Sequence, residues 1–144
     1  MTRLEVKRSI EIKAPAAKVW QIITSPSAMK RWMLVEPKVD ESRPLGLKSK
    51  IRWTDERGKP YLAGLVVRFE TGRRLVLELA DVSWRRRAKA GEVTYALSLS
   101  TAGSTTRVRF SLGDLSIDPA ARAWYEAYSN SRELESIKEM AESG

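Results

Sequence analysis

Apolar and charged residues alternate from the start of the chain. Leu4, Val6, Ile10 and Ile12 fall on one face of residues 3–13, with Glu5, Lys7, Glu11 and Lys13 on the other. Period two over that length predicts a half-buried strand. Ala14-Pro15 then opens a short helix carrying Val19, Trp20, Ile22 and Ile23, proline fitting the first helical turn. Ser25-Pro26 repeats the device, with Ser25 as N-cap, and starts a second short helix with Met29, Trp32 and Met33.

Strands and turns follow from 34 to 112. Leu34 to Val39 reads as a weak strand ended by ESRPLG, and Ile51 and Trp53 alternate with Lys50, Arg52 and Thr54. Glu56-Arg57-Gly58-Lys59 turns the chain into a more hydrophobic strand, 61–70. Thr71-Gly72 marks a tight turn into Leu75, Leu77 and Leu79, and WRRRAKAG at 84–91 interrupts the pattern. Val93, Tyr95, Leu97 and Leu99 alternate with Thr94, Ala96, Ser98 and Ser100. Ala102-Gly103-Ser104 turns to Val108, Phe110 and Leu112. One apolar and one polar face describe an antiparallel sheet wetted on one side.

Asp118-Pro119 starts a helix that runs nearly to the end. Ala120, Trp124, Ala127, Ser131, Leu134 and Ala141 form its apolar stripe, with Tyr128 and Ile137 at the flanks and Arg122, Glu126 and Glu133 opposite. The expectation is one α+β domain spanning 1–144: a curved antiparallel sheet of about seven strands around a long C-terminal helix, with two short helices after the first strand. One helix cannot cover so wide a sheet, and Ala127 and Ser131 between Trp124 and Leu134 leave volume between the layers.

Composition narrows the chemistry. The 144 residues hold no cysteine and no histidine. Disulfides, thiolate nucleophiles and thiolate metal sites are thereby excluded, and so are imidazole proton shuttles. No cofactor, metal ligand set or catalytic group stands out. The net charge of +8 is spread along the chain, and basic residues without interleaved aromatics argue against nucleic acid and for a solvated surface. No apolar run approaches the roughly 20 residues that span a bilayer, and the N-terminal alternation lacks a signal-peptide core. A cytosolic protein, monomeric or weakly dimeric, is expected.

The run IEIKAPAAKVWQIITSPSAMKRWM resembles the N-terminal signature of the START-like, birch-pollen-allergen-like superfamily, also called SRPBCC. Thr71-Gly72-Arg73-Arg74-Leu75, Thr105-Thr106-Arg107-Val108 and the C-terminal helix follow in the order found there. The likeness is strongest to its polyketide cyclase/dehydratase-like and chaperone-ATPase-activator-homologue branches. It implies a helix-grip fold with a cavity that holds lipids, steroids, polyketides or hormones, in a minority of members with catalysis.

Trp32, Trp53, Tyr95, Phe110, Trp124, Tyr128 and Ser131 are the candidate ligand-binding residues, large rings and one hydroxyl on inward faces. Core filling is the alternative for each ring, and a bond back to the Ala127 carbonyl for Ser131. Trp20 reads as structural. Arg8 and Arg68 sit in register with inward residues and would need an anion if buried; an exposed strand end for Arg8 and an outward bulge for Arg68 are the alternatives. Asp55, Glu56 and Glu70 read as turn residues. Arg85-Arg86-Arg87 with Lys89 reads as a solvated loop or an edge-strand guard. Binding of a hydrophobic or amphipathic small molecule is the leading expectation. A cyclase- or dehydratase-type reaction in the same cavity and a co-chaperone or ribosome-associated interaction module are the alternatives.

Overall fold

The structure, a computed structural model, describes residues 3–143. In chain order it contains β1 (Val6–Ile12), α1 (Ala16–Thr24), α2 (Pro26–Trp32), β2 (Lys50–Thr54), β3 (Pro60–Glu70), β4 (Arg74–Asp81), β5 (Thr94–Ala102) and β6 (Thr105–Gly113). A 3-10 turn (Leu115–Ile117), α3 (Ala121–Ser129) and α4 (Glu133–Glu142) follow. The strands form one sheet in the order β1-β6-β5-β4-β3-β2, each pair antiparallel.

Local sequence explains the joints. Ser25 accepts the Ala28 N–H and Pro26 takes the first position of α2. Ala102 pairs with Thr105 across a two-residue loop, where Gly103 holds φ +63. A side chain is strained in that conformation, so glycine suits a turn whose twist matches the flanking strands.

The core lies between the inner sheet face and the helices. Ile12, Ile51, Leu75, Leu77, Leu97 and Leu112 from the strands meet Val19, Ile23, Met29, Trp32, Leu134 and Ile137, all buried. Trp20 packs edge-on to Phe69 with ring centroids 5.2 Å apart, the structural role its sequence suggested. Among the described residues no helix packs on the convex face of the sheet.

Six strands form rather than about seven. Residues 34–39 contribute only a bridge between Lys38 and Arg52, because Pro37 has no N–H to donate and the flanking residues are mostly exposed. The C-terminal helical region is present but divided at Asn130–Arg132. Asn130 ends α3, its side-chain amide donating to the Glu126 carbonyl at 2.9 Å. Ser129-Asn130-Ser131 sets three weak helix formers in a row.

That break corrects the expected stripe. Ala120 and Ala127 are exposed, whereas Glu133, placed opposite the stripe, is only 4% exposed. Asp118 does not itself cap the helix: it accepts the Ala120 N–H at 2.7 Å and the Trp84 indole N–H at 2.6 Å. The ladder of β3 and β4 shifts between Val66 and Arg68, turning Arg68 outward beside Glu70 at 3.4 Å. Asp55 accepts the N–H groups of Arg57 and Lys59, a turn role. The Arg85–Arg87 loop joins β4 and β5 in the middle of the sheet, so it guards no edge; Arg86 there pairs with Glu92.

Candidate ligand site under the third helix

β5 and β6 set Tyr95 opposite Leu112 and Phe110 opposite Leu97, which places both aromatic side chains on the inner face. Their rings meet edge to face at 4.9 Å. Tyr128, from α3, lies 6.5 Å from both Tyr95 and Phe110, and Trp124 one turn earlier lies 6.0 Å from Tyr128. These separations fall in the range where aromatic pairs attract. Four of the seven residues singled out in the sequence are thus brought together.

Ser131 sits beside them, buried at the break between α3 and α4. Its carbonyl accepts from Arg8 at 2.5 Å, and the second Arg8 amine donates to Glu135 at 2.7 Å. Arg8 therefore points inward, opposite Phe110 in the β1–β6 ladder, and its anion is supplied by the protein. Trp32 and Trp53 stand apart from the ring cluster. Both are buried, with indole N–H groups donated to the carbonyls of Ile22 at 3.1 Å and Val35 at 3.2 Å.

Glu133 was the residue missed. It is the first residue of α4, where free backbone N–H groups favour negative charge. One carboxylate oxygen accepts the Tyr95 hydroxyl at 2.8 Å, and the other accepts the Leu34 N–H at 2.8 Å. Burial raises its pKa to about 7, against the opposing pull of those two hydrogen bonds and of the Arg8 charge. The Tyr95 and Tyr128 hydroxyls are pushed up, first by burial and then by the charge of Glu133. The weak helix formers at 129–131 were the signal for the break that buries Glu133.

The space expected at the centre is occupied under α4 by Leu134, Ile137 and Ala141, all buried. Five pockets among the described residues open on the outside of the molecule; Phe110 lines one of them, and Trp124 and Tyr128 line none of the five. α3 differs from α4: none of its residues is buried, and Trp124, Tyr125 and Tyr128 are half-exposed. It packs against β1 and the 3-10 turn only lightly. Among the described residues no group of His, Cys, Asp or Glu could hold a metal ion, and no helix is long and apolar enough to cross a membrane.

A bulged antiparallel sheet holding a C-terminal helical segment, with two short helices after the first strand, is the architecture of the START-like, or SRPBCC, superfamily. Within it, the family described as "Activator of Hsp90 ATPase homolog 1-like protein" matches residues 13–142, and the chain belongs to that family. The Aha1 dimer of Colwellia psychrerythraea is similar in fold, with TM-score 0.69 and 18% identity over 99% of this chain and 97% of that one. Protein MLL2253 of Mesorhizobium loti gives TM-score 0.71 and 18% identity over 94% and 95% of the two chains. DynU16, from the dynemicin biosynthetic locus, gives TM-score 0.65 and 13% identity over 95% of this chain and 46% of its own. A search of curated proteins finds no match.

Proposed function

We propose that this protein binds a hydrophobic or amphipathic small molecule beneath α3, between Trp124 and Tyr128 on one side and Tyr95 and Phe110 on the other. The observation that carries the reading is the ring cluster itself. Its outer half sits on a helix without a buried residue, and its inner half touches a buried carboxyl group. α3 yields by rotating about Asn130–Arg132, so a ligand slides under it without opening the core around α4. Apolar ligand surface withdrawn there contributes roughly 25 cal/mol per Å². Ser131 and Glu133 form the polar end. A carboxyl group with pKa about 7 both donates and accepts near neutrality, which suits a ligand hydroxyl or amine.

Titration with the neutral fluorophore N-phenyl-1-naphthylamine tests this. Saturable one-to-one binding is expected, weakened at least tenfold by Trp124→Ala or Tyr128→Ala. Binding that neither change affects would refute it.

The same acid supports a second reading, a cyclase- or dehydratase-type reaction. A carboxyl group tuned to neutrality beside a tyrosine hydroxyl is suited to proton transfer. Glu133→Gln would then abolish turnover while the fluorophore still bound. Equal loss of turnover and binding would favour simple binding.

A further inference from the structure

A pocket of about 630 Å³ opens on the sheet over β1, β4, β5 and β6. Its floor and walls follow from register. Ser9 of β1 stands opposite Arg109 of β6, Arg109 opposite Ser98 of β5, and Ser98 opposite Arg74 of β4. Ala96 and Ser111 face each other one step along, next to Lys7. Small residues on β5 between long ones on β4 and β6 make a trough. Neighbouring strands lie about 4.8 Å apart, so the two arginine backbones stand roughly 10 Å apart across it.

Glu5 also lines the trough, and the charge there is only partly neutralised from within. Arg107 pairs with Glu11 and Arg68 with Glu70, but Arg74 and Arg109 enter no salt bridge among the described residues. Lys7 reaches only Glu5, at 3.8 Å. Arg74, Arg109 and Lys7 are exposed, and Ser98 and Ser111 half-buried. Two guanidinium groups facing each other over serine hydroxyls are donors without acceptors, an arrangement that carboxylates complete. The one aromatic residue of the lining, Phe110, turns its buried ring to Tyr95 on the inner face, so no ring is offered on the outer side to stack a nucleic-acid base. The trough is open along its length, and backbone of extended shape fits where a helix would not settle between the side chains.

We propose that this convex groove docks an extended acidic segment of a partner protein, its carboxylates bridging Arg74 and Arg109 and its smaller side chains lying over Ala96 and Ser98. The groove and the site beneath α3 adjoin through Arg8 and Phe110, which line the groove and flank the ring cluster.

The test is fluorescence anisotropy with a fluorescein-labelled eight-residue peptide of alternating glutamate and alanine, at low and at physiological salt. Binding that weakens with salt is expected. Arg74→Ser with Arg109→Ser should cost at least tenfold, and the paired lysine changes should restore part of it. Arg85→Ser with Arg87→Ser removes the same charge elsewhere and should cost less than twofold. Equal losses in the two serine pairs would overturn the proposal, as would absence of binding at low salt. So would an oligothymidylate of equal charge that displaced the peptide more effectively than unlabelled peptide does.

Discussion

The Tyr95 hydroxyl donates to the Glu133 carboxylate across 2.8 Å in a buried setting, tying the centre of the sheet to the first residue of α4. A carboxyl group there ionises reluctantly, because charge withdrawn from water is poorly compensated by two neutral donors. The pair links packing to proton chemistry, and its behaviour with pH is the first consequence.

Glu133 has a pKa of about 7 in the folded chain, raised from 4.5. The folded state therefore holds its proton more tightly than the unfolded state does. Its stabilising contribution is full below about pH 4.5 and is lost as pH rises through about 7. The difference amounts to about 3 kcal/mol. Urea unfolding between pH 4.5 and 8 should show stability falling across that window, and Glu133→Gln should flatten the fall. An unchanged slope in the variant would remove Glu133 as its source.

Tyr95→Phe keeps the ring contacts and deletes one donor. Stability should drop by about 1–3 kcal/mol. The Tyr95 hydrogen bond holds the Glu133 pKa down, so the midpoint of the pH transition should also move upward. A downward shift would contradict the assignment.

Arg8 is the clasp between β1 and the α3–α4 break, through Ser131 and Glu135. Arg8→Met leaves the Ser131 carbonyl and the Glu135 carboxylate without their donor, at a cost of about 1–2 kcal/mol for this partly exposed pair. Hydrogen exchange should accelerate in α3 while β5 and β6 stay protected. Uniform acceleration would mean that Arg8 supports the whole fold and not the clasp.

The indole of Trp84 donates to Asp118 at 2.6 Å in a buried setting. Trp84→Phe leaves a buried carboxylate oxygen without its partner and should lower stability by about 1–3 kcal/mol. Asp118→Ala, which takes the acceptor from both the Trp84 indole and the Ala120 N–H, should cost more by the same urea measurement.

Much of this fold was legible because strand periodicity and cap chemistry are local. Ser25-Pro26 and the hairpin glycines Gly58, Gly72 and Gly103 announce their elements directly. The C-terminal region was not, because amphipathic spacing read across Asn130 assumes one continuous helix. The break rotates the second half, and Glu133 crosses from the exposed face to the core. Likewise, Arg8 could be placed on the inner face by register, yet its partners come from residues more than a hundred positions away. Tyr95 and Phe110 of the candidate site followed from strand alternation, and Trp124 and Tyr128 from helical spacing. How closely Leu134 and Ile137 fill the space beneath α4 depends on three-dimensional packing, to which a one-dimensional pattern is blind.

The most direct measurement is a 15N–1H NMR titration with N-phenyl-1-naphthylamine, following backbone shifts as the probe is added. The account predicts saturable shifts concentrated in α3, at Ser131 and Glu133, and around Tyr95 and Phe110. Shifts confined to the convex face or to the β2–β3 rim, or none at all, would contradict a ligand site beneath α3.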